Sequence, residues 1–323
     1  MKPKPDTSKS GSSLTQDASN DPPLPDGTVE TCAVIVHWGP TELTVTAALS
    51  LERSGAFTTV VVVANDGQTR PVELDASDVQ WICPDRNLGF GSGCQFGADH
   101  IRASKYGFFN ADVSMSPQDL QRCLAALDQP EVGIAGPVLL SPNGNLQSGC
   151  GTVSRFLWNT TAMNDPRGSD SDLVDCSWVT GAALFCRDEV VRNIGWDGSY
   201  FLICEDTDLC LRARTQGWRV VVVPGAIGTH PGGTTMRRNL AQYYTPRNRI
   251  WMTRRLGPAR VIPLLVATQL MQVPKIAIGD LAKRRSPLAK KQNAGIRAGL
   301  GDMPRDQAPR SDEPVSSADR NTV

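Results

Sequence analysis

The stretch CAVIVHWGPTELTVTAALSLERSGAFTTVVVVAND (Cys32–Asp66) joins two uninterrupted apolar runs through a segment of helical spacing. "CAVIVHW" (Cys32–Trp38) and "TTVVVVAND" (Thr58–Asp66) read as buried strands, and the helix between them stops at Gly55. Strands apolar on both faces and joined by a helix predict a parallel sheet covered on each side. "VQWIC", "YGFFNAD" (Tyr106–Asp112), "VGIAGPVLL" and "WRVVVVPGAIGTH" continue the pattern. The polar, glycine- and aspartate-rich stretch Ser141–Leu173 reads as loop, and order resumes at "SWVTGAALFCRDEVV". The expected class is α/β, with a mostly parallel central sheet, helices on both faces and a C-terminal helical, basic segment.

Ligands of such sheets bind beyond the carboxyl ends of the strands. The polar residues there form a set: His37, Asn65 with Asp66, Asn87, Asn110 with Asp112, and His230. Asp112 in "FFNAD" either closes its strand as an Asx turn or holds Mg2+ or Mn2+ against a diphosphate, since these hard ions take oxygen ligands. His230 alone reads as a turn or packing residue. At one sheet edge with Asp112 and an acidic helix start, it fits a metal–diphosphate site.

"FLICEDTDLCLRARTQGWRVVVVPG" (Phe201–Gly225) sets Glu205, Asp206 and Asp208 at the start of a helix that ends before Gly217. Acids in a first turn satisfy unpaired N–H groups and the helix dipole, so capping alone would explain them.

Other features exclude more than they assign. "GFGSGCQFG" lacks the spacing of a dinucleotide-binding loop, and no phosphate-binding G-x-x-x-x-G-K-[ST] is present. Nine cysteines without C-x-x-C pairs or clustering with the three histidines suggest reduced thiols in a cytoplasmic protein. Lys plus Arg equals Asp plus Glu at 33 each, so net charge says nothing about a polyanionic partner, and no nucleic-acid partner is expected. The distribution is uneven: from Thr245 to Gly301 there are twelve basic residues and one acid, Asp280. Residues 1–29 and 302–323 read as a disordered leader and tail, leaving a main domain at 30–245 and a basic segment at 246–301.

In their order, "VIVHWG", "VVVVANDG", "NLGFGSG", "FFNAD", "VGIAGP", the block from Trp178 to His230 and "YYTPRNR" resemble the inverting family 2 glycosyltransferases of GT-A fold. The likeness is to their rhamnosyltransferase-like and galactofuranosyltransferase-like branches, over roughly Cys32–Arg249. The resemblance implies Asp206 as general base and Asp112 and His230 as ligands of a divalent cation, Mg2+ or Mn2+. It puts His37, Asn65, Asp66, Asn87 and Asn110 around the nucleotide sugar, and Trp178 and Glu205 on the acceptor side. Like charge from Glu205 and Asp208 is expected to raise the base's pKa. The chain departs from the family in having Asn110 where many members have Asp, and "SGCQFG" within the glycine loop.

The implied activity is metal-dependent transfer of a sugar, rhamnose among the candidates, from a UDP or dTDP donor to a glycan or lipid-linked glycan. Two rivals are a non-catalytic sugar-nucleotide-binding relative and a nucleotidyltransferase. "GPARVIPLLVATQLMQVPKIAIGDLAKRR" reads as too short and too broken by Pro263, Gln269, Gln272 and Pro274 to span a membrane. It suits either a packing helix or a surface lying peripherally on anionic lipid.

Overall fold

The computed structural model describes residues 27–302 apart from 148, 155–157, 159, 233–237 and 283–287. The expected leader up to residue 26, the tail from residue 303, and Lys283, Arg284 and Arg285 therefore lie outside the described residues.

The strands are β1 (Val29–His37), β2 (Thr59–Ala64), β3 (Gln80–Ile82), β4 (Ala103–Phe109), β5 (Ser114–Met115), β6 (Val132–Leu140), β7 (Cys150–Val153), β8 (Thr160–Ala162), β9 (Val174–Asp175), β10 (Trp178–Val179), β11 (Ala183–Arg187) and β12 (Arg219–Thr229). The helices are α1 (Thr41–Arg53), α2 (Gly89–His100), α3 (Pro117–Ala126), α4 (Asp188–Asn193), α5 (Glu205–Thr215), α6 (Arg238–Leu256), α7 (Ile262–Ala282) and α8 (Leu288–Leu300). The main sheet runs β3-β2-β1-β4-β11-β6-β12-β5, with β9 also on β12. Alternate residues of its strands face two apolar layers. Ile35, Val62, Phe185 and Val221 pack with α1 and α3, whereas Val34, Val63, Phe108, Leu184 and Val222 pack with α2, α4 and α5.

The mostly parallel sheet carries a reversal at its centre: β11 runs antiparallel to both β4 and β6. "ALFC" is buried on both faces and carries no directional pattern, so only its connections reveal the reversal. As a result Gly181 and Ala182, which lead into β11, lie at the same edge as the carboxyl ends of β1, β4 and β6. The Ser141–Leu173 stretch is not only loop, because β7 and β8 form a small antiparallel sheet with β10. Strands of two to four residues are too short for periodicity to reveal.

The expected boundary at 245/246 falls inside α6, which continues through Pro246. Helix α8 crosses α6 closely at Gly295 and Gly299, where a Cβ would come within 2.2 Å of the Tyr243 carbonyl oxygen and 2.9 Å of that of Arg247. The segment expected to be broken forms one 21-residue helix, α7. Pro263 sits in its first turn, where no N–H is needed, and Pro274 alone interrupts the interior bonding. By length and composition Ala259–Ile278 could cross a membrane, yet one face packs on α8 through buried Leu265 and through Gln269, which accepts from Gln292 at 3.0 Å.

Candidate active site

The acids that open α5 have three different fates. Asp206, half-buried, accepts the Gly181 N–H at 2.8 Å through Oδ2 and the Thr207 N–H at 2.6 Å through Oδ1. It thus caps a first-turn N–H while its carboxylate is fixed in direction. Asp208 is fully buried and receives Tyr200 Oη at 3.0 Å and Arg212 Nε at 2.6 Å. Glu205 is 7% exposed, and its side chain lies against Gly91 and Trp196. Its Oε2 has no hydrogen-bond partner among the described residues.

Burial pushes the Asp206 carboxyl above the usual range, opposed by the hydrogen bonds from Gly181 and Thr207. The expected cause, like charge from its neighbours, is not the operative one. Like charge acts in the other direction: burial first, then the charge of Asp206, push Glu205 well above the ordinary glutamate range.

The chain enters α5 through Phe201, Ile203 and Cys204, all non-glycine residues with φ of 62°, 69° and 73°. Each such residue costs about 1–3 kcal/mol and persists only where its surroundings fix it. The Phe201 carbonyl accepts the Phe90 N–H at 2.9 Å, at the start of α2. Gly89 is required there: its φ is +74°, and a Cβ would fall 2.2 Å from the Phe201 oxygen.

Asp112 and His230, each just past a strand, meet: His230 Nε2 lies 3.3 Å from Asp112 Oδ1. His230 Nδ1 is 3.0 Å from Gln147 Oε1, and the Gln147 amide nitrogen in turn donates to the His230 carbonyl. With the Nδ1 proton on Gln147, Nε2 presents its lone pair toward the carboxylate side, the tautomer a metal ligand needs. Among the described residues no third His, Cys, Asp or Glu completes a cluster. A hard cation here would have one carboxylate oxygen and one imidazole nitrogen, leaving its other positions to diphosphate and water, and the pair fits that donor set. The Asp112 turn is tied to Asp206 by consecutive backbone links: Asn110 N–H donates to the Ala182 carbonyl at 3.0 Å, next to the Gly181 N–H that holds Asp206.

At the far end of this edge, Asp66 accepts the Gly39 N–H at 3.1 Å and Gln68 Nε2 at 2.7 Å. Its Oδ2 lies 3.4 Å from Nε2 of buried His37, which Thr44 holds at 2.7 Å and Trp81 flanks at 5.3 Å between ring centroids. Partial burial pushes the Asp66 carboxyl up, but His37, Gly39 and Gln68 outweigh it and hold the group at about 2. Asn65 and Asn87 act on the loop between strand and helix. Asn65 donates to the Gly89 carbonyl at 2.8 Å and accepts from Leu88 N–H at 3.3 Å, and Asn87 Oδ1 accepts the Gly89 N–H at 2.9 Å. Trp178, on β10, packs its ring on Gly151 with the indole N–H buried and unpartnered among the described residues.

Sequence reasoning missed Gln147, Gly181, Tyr200, Arg247 and Asn248. The first two act through a neighbour or through backbone and leave no pattern. The last two stand within the quoted "YYTPRNR", whose buried arginine and asparagine were the available signal.

The pattern described as glycosyltransferase-like family 2 matches residues 41–254. A pre-mycofactocin glycosyltransferase of Mycobacterium tuberculosis is 25% identical over 189 residues, covering 56% of this chain and 39% of that protein. An N-acetylglucosaminyl-diphospho-decaprenol L-rhamnosyltransferase of the same organism is 28% identical over 151 residues, covering 42% and 49%. The chain thus spans less than half the length of these curated relatives. The mannosyltransferase of Pyrobaculum calidifontis, solved with GDP-Man and Mn2+, superposes with a TM-score of 0.52 at 12% identity over 88% of this chain and 90% of that one. That likeness concerns the fold alone.

Proposed function

The chain belongs to glycosyltransferase family 2, and from that membership we propose that it is a metal-dependent, inverting enzyme. It moves a sugar, rhamnose first among candidates, from a UDP or dTDP donor to a hydroxyl of a glycan or lipid-linked glycan. What carries this reading is the linkage Asn110–Ala182 and Gly181–Asp206, which joins the Asp112 turn to an aimed carboxylate.

In this reading Asp206 accepts the proton of the acceptor hydroxyl as its oxygen attacks the anomeric carbon. The bond from that carbon to the diphosphate breaks on the opposite face, inverting the centre. The raised pKa of Asp206, a consequence of its burial, brings it nearer to that of an effective base. Asp112 and His230 would hold Mg2+ or Mn2+, which neutralises charge on the leaving diphosphate. Asp66, held ionised by His37, Gly39 and Gln68, accepts hydrogen bonds from the nucleoside. Asn65 and Asn87 shape the loop against the donor. Asn110, Trp178 and Glu205 border the site, Asn110 toward the donor and the other two toward the acceptor, with Glu205 turned inward in this conformation.

A lipid-linked acceptor agrees with α7. Its outer face exposes Leu264, Leu270, Met271, Ile278 and Leu281, while α8 ties its inner face to α6. A helix held in this way contacts lipid by lying in the inner, cytoplasmic leaflet. Arg260, Lys275 and Lys290, all exposed, supply charge for anionic headgroups.

The test is a panel of UDP- and dTDP-sugars, dTDP-rhamnose included, with Mn2+ and polyprenyl-diphospho-N-acetylglucosamine as acceptor. Nucleoside diphosphate should appear in step with an inverted glycoside. Release of pyrophosphate, or nucleotide binding without turnover on any acceptor, would overturn the reading.

A further inference from the structure

Arg247 and Asn248 lie deep in α6, 1% and 0% exposed, and neither belongs to the groups assigned to donor or acceptor. The Asn248 amide nitrogen donates to the carbonyls of Tyr200, Leu202 and Ile203 at 3.0, 2.6 and 2.7 Å. Arg247 Nη2 reaches the carbonyls of Ser199 and Tyr200 at 3.3 and 2.8 Å. Its Nε donates to Asn248 Oδ1 at 2.8 Å and so fixes which way the amide faces. The guanidinium lies 4.5 Å from the Tyr244 ring and 4.3 Å from that of Trp251, away from water.

Four carbonyls converge on these two side chains because the backbone between them carries left-handed residues. That same backbone delivers the first turn of α5. We propose that Arg247 and Asn248 are positioning residues for the base: they clasp the Ser199–Cys204 loop and thereby set where the Asp206 carboxylate stands relative to Gly181. The argument rests on Asp206 being the base. Without the amide, convergent carbonyls repel one another, the strained residues relax, and α5 starts from a different point. Among the described residues one backbone hydrogen bond, from Phe90 N–H to the Phe201 carbonyl, joins the clasped loop to the donor side, whereas the loop leads directly into the first turn of α5, so the main effect falls on the chemical step and not on donor binding.

The experiment compares Asn248→Ala, Asp206→Asn and the double variant, using dTDP-rhamnose, or the UDP-sugar that replaces it in the donor panel, with saturating acceptor. Near-ultraviolet circular dichroism verifies folding. Asn248→Ala should lower kcat by about 10- to 100-fold, as a misplaced catalytic group does, with donor KM within about twofold. The double variant should be no slower than Asp206→Asn, because a positioning residue has nothing left to position. Parental kcat in folded Asn248→Ala, or losses that multiply in the double variant, would overturn the clasp. An Asp206→Asn enzyme at the parental rate would instead overturn the base assignment.

Should Asn248→Ala not fold, Arg247→Lys replaces it, keeping a cation over the rings but lacking the Nε donor that orients the amide. The same split is expected, and unchanged kcat overturns the proposal. Failure of both variants to fold also overturns it, in favour of a role in folding alone.

Discussion

His230 Nε2 lies 3.3 Å from Asp112 Oδ1, although β12 and β4, which carry them to the site, are separated in the sheet by β11 and β6. Two ligands of one cation stand about this far apart. Asp112→Ala or His230→Ala should weaken Mn2+-dependent binding of UDP or dTDP in calorimetry without unfolding the protein. Gln147→Ala should cost roughly 10- to 100-fold in metal affinity through loss of imidazole orientation. Unchanged affinity in both ligand variants would refute a shared site.

Asp206→Asn keeps the size of the side chain and its bond from Gly181 but accepts no proton. Transfer should fall by about 10²- to 10⁴-fold with donor affinity retained. Asp208→Asn should show the reverse pattern, with catalysis largely kept per folded molecule. Stability should drop by about 3–5 kcal/mol, since Arg212 loses its buried partner. Denaturant titration beside single-turnover kinetics separates the two.

Glu205 carries a stability signature. Its folded pKa is raised, so the folded state binds the proton more tightly than the unfolded chain does. Stability from this group is therefore full below the ordinary glutamate pKa and is lost as pH rises through the folded value. Glu205→Gln removes that loss. The variant should match the parent near pH 4 and melt higher at pH 7, by on the order of a few °C. A parent and variant with parallel melting curves across this range would contradict it.

Met271, Ile278 and Leu281 are 65%, 70% and 84% exposed on α7. Replacing all three by Glu should reduce co-sedimentation with anionic vesicles by more than about tenfold, while the melting temperature stays put because most of their apolar surface is already exposed to solvent. Equal sedimentation would mean that this face does not meet lipid.

The alternation of layers was legible because Val34, Ile35, Val61 and Val62 sit in runs too apolar for a half-exposed strand. The strand-end rule brought Asp112 and His230 together before any geometry was known. The reversal of β11 was hidden, since direction lies in connections and not in "ALFC". Asp206's environment was misread in cause: sequence shows its charged neighbours, but only the fold shows that Asp208 is neutralised by Arg212 and that burial dominates. The resemblance puts Asn65 at the nucleotide sugar, and only the fold shows that its amide bonds Leu88 and Gly89 in the loop before α2. The continuity of α7 was underestimated because prolines were counted without regard to where in the helix they fall.

The nine thiols bear on how the protein can be studied. Seven are buried, Cys204 is half-buried, and Cys83 alone is exposed. Burial pushes Cys150 up to about 11 and Cys32 up to about 12, and raises Cys204 too, so none of these offers a reactive thiolate near neutrality. Maleimide should consequently label the unmodified sequence at one place. Cys83 Sγ is 3.3 Å from the carbonyl of Gln68, whose side chain grips Asp66. A fluorophore attached there would report optically on occupancy of the proposed nucleoside end, with no cysteine needing to be removed first.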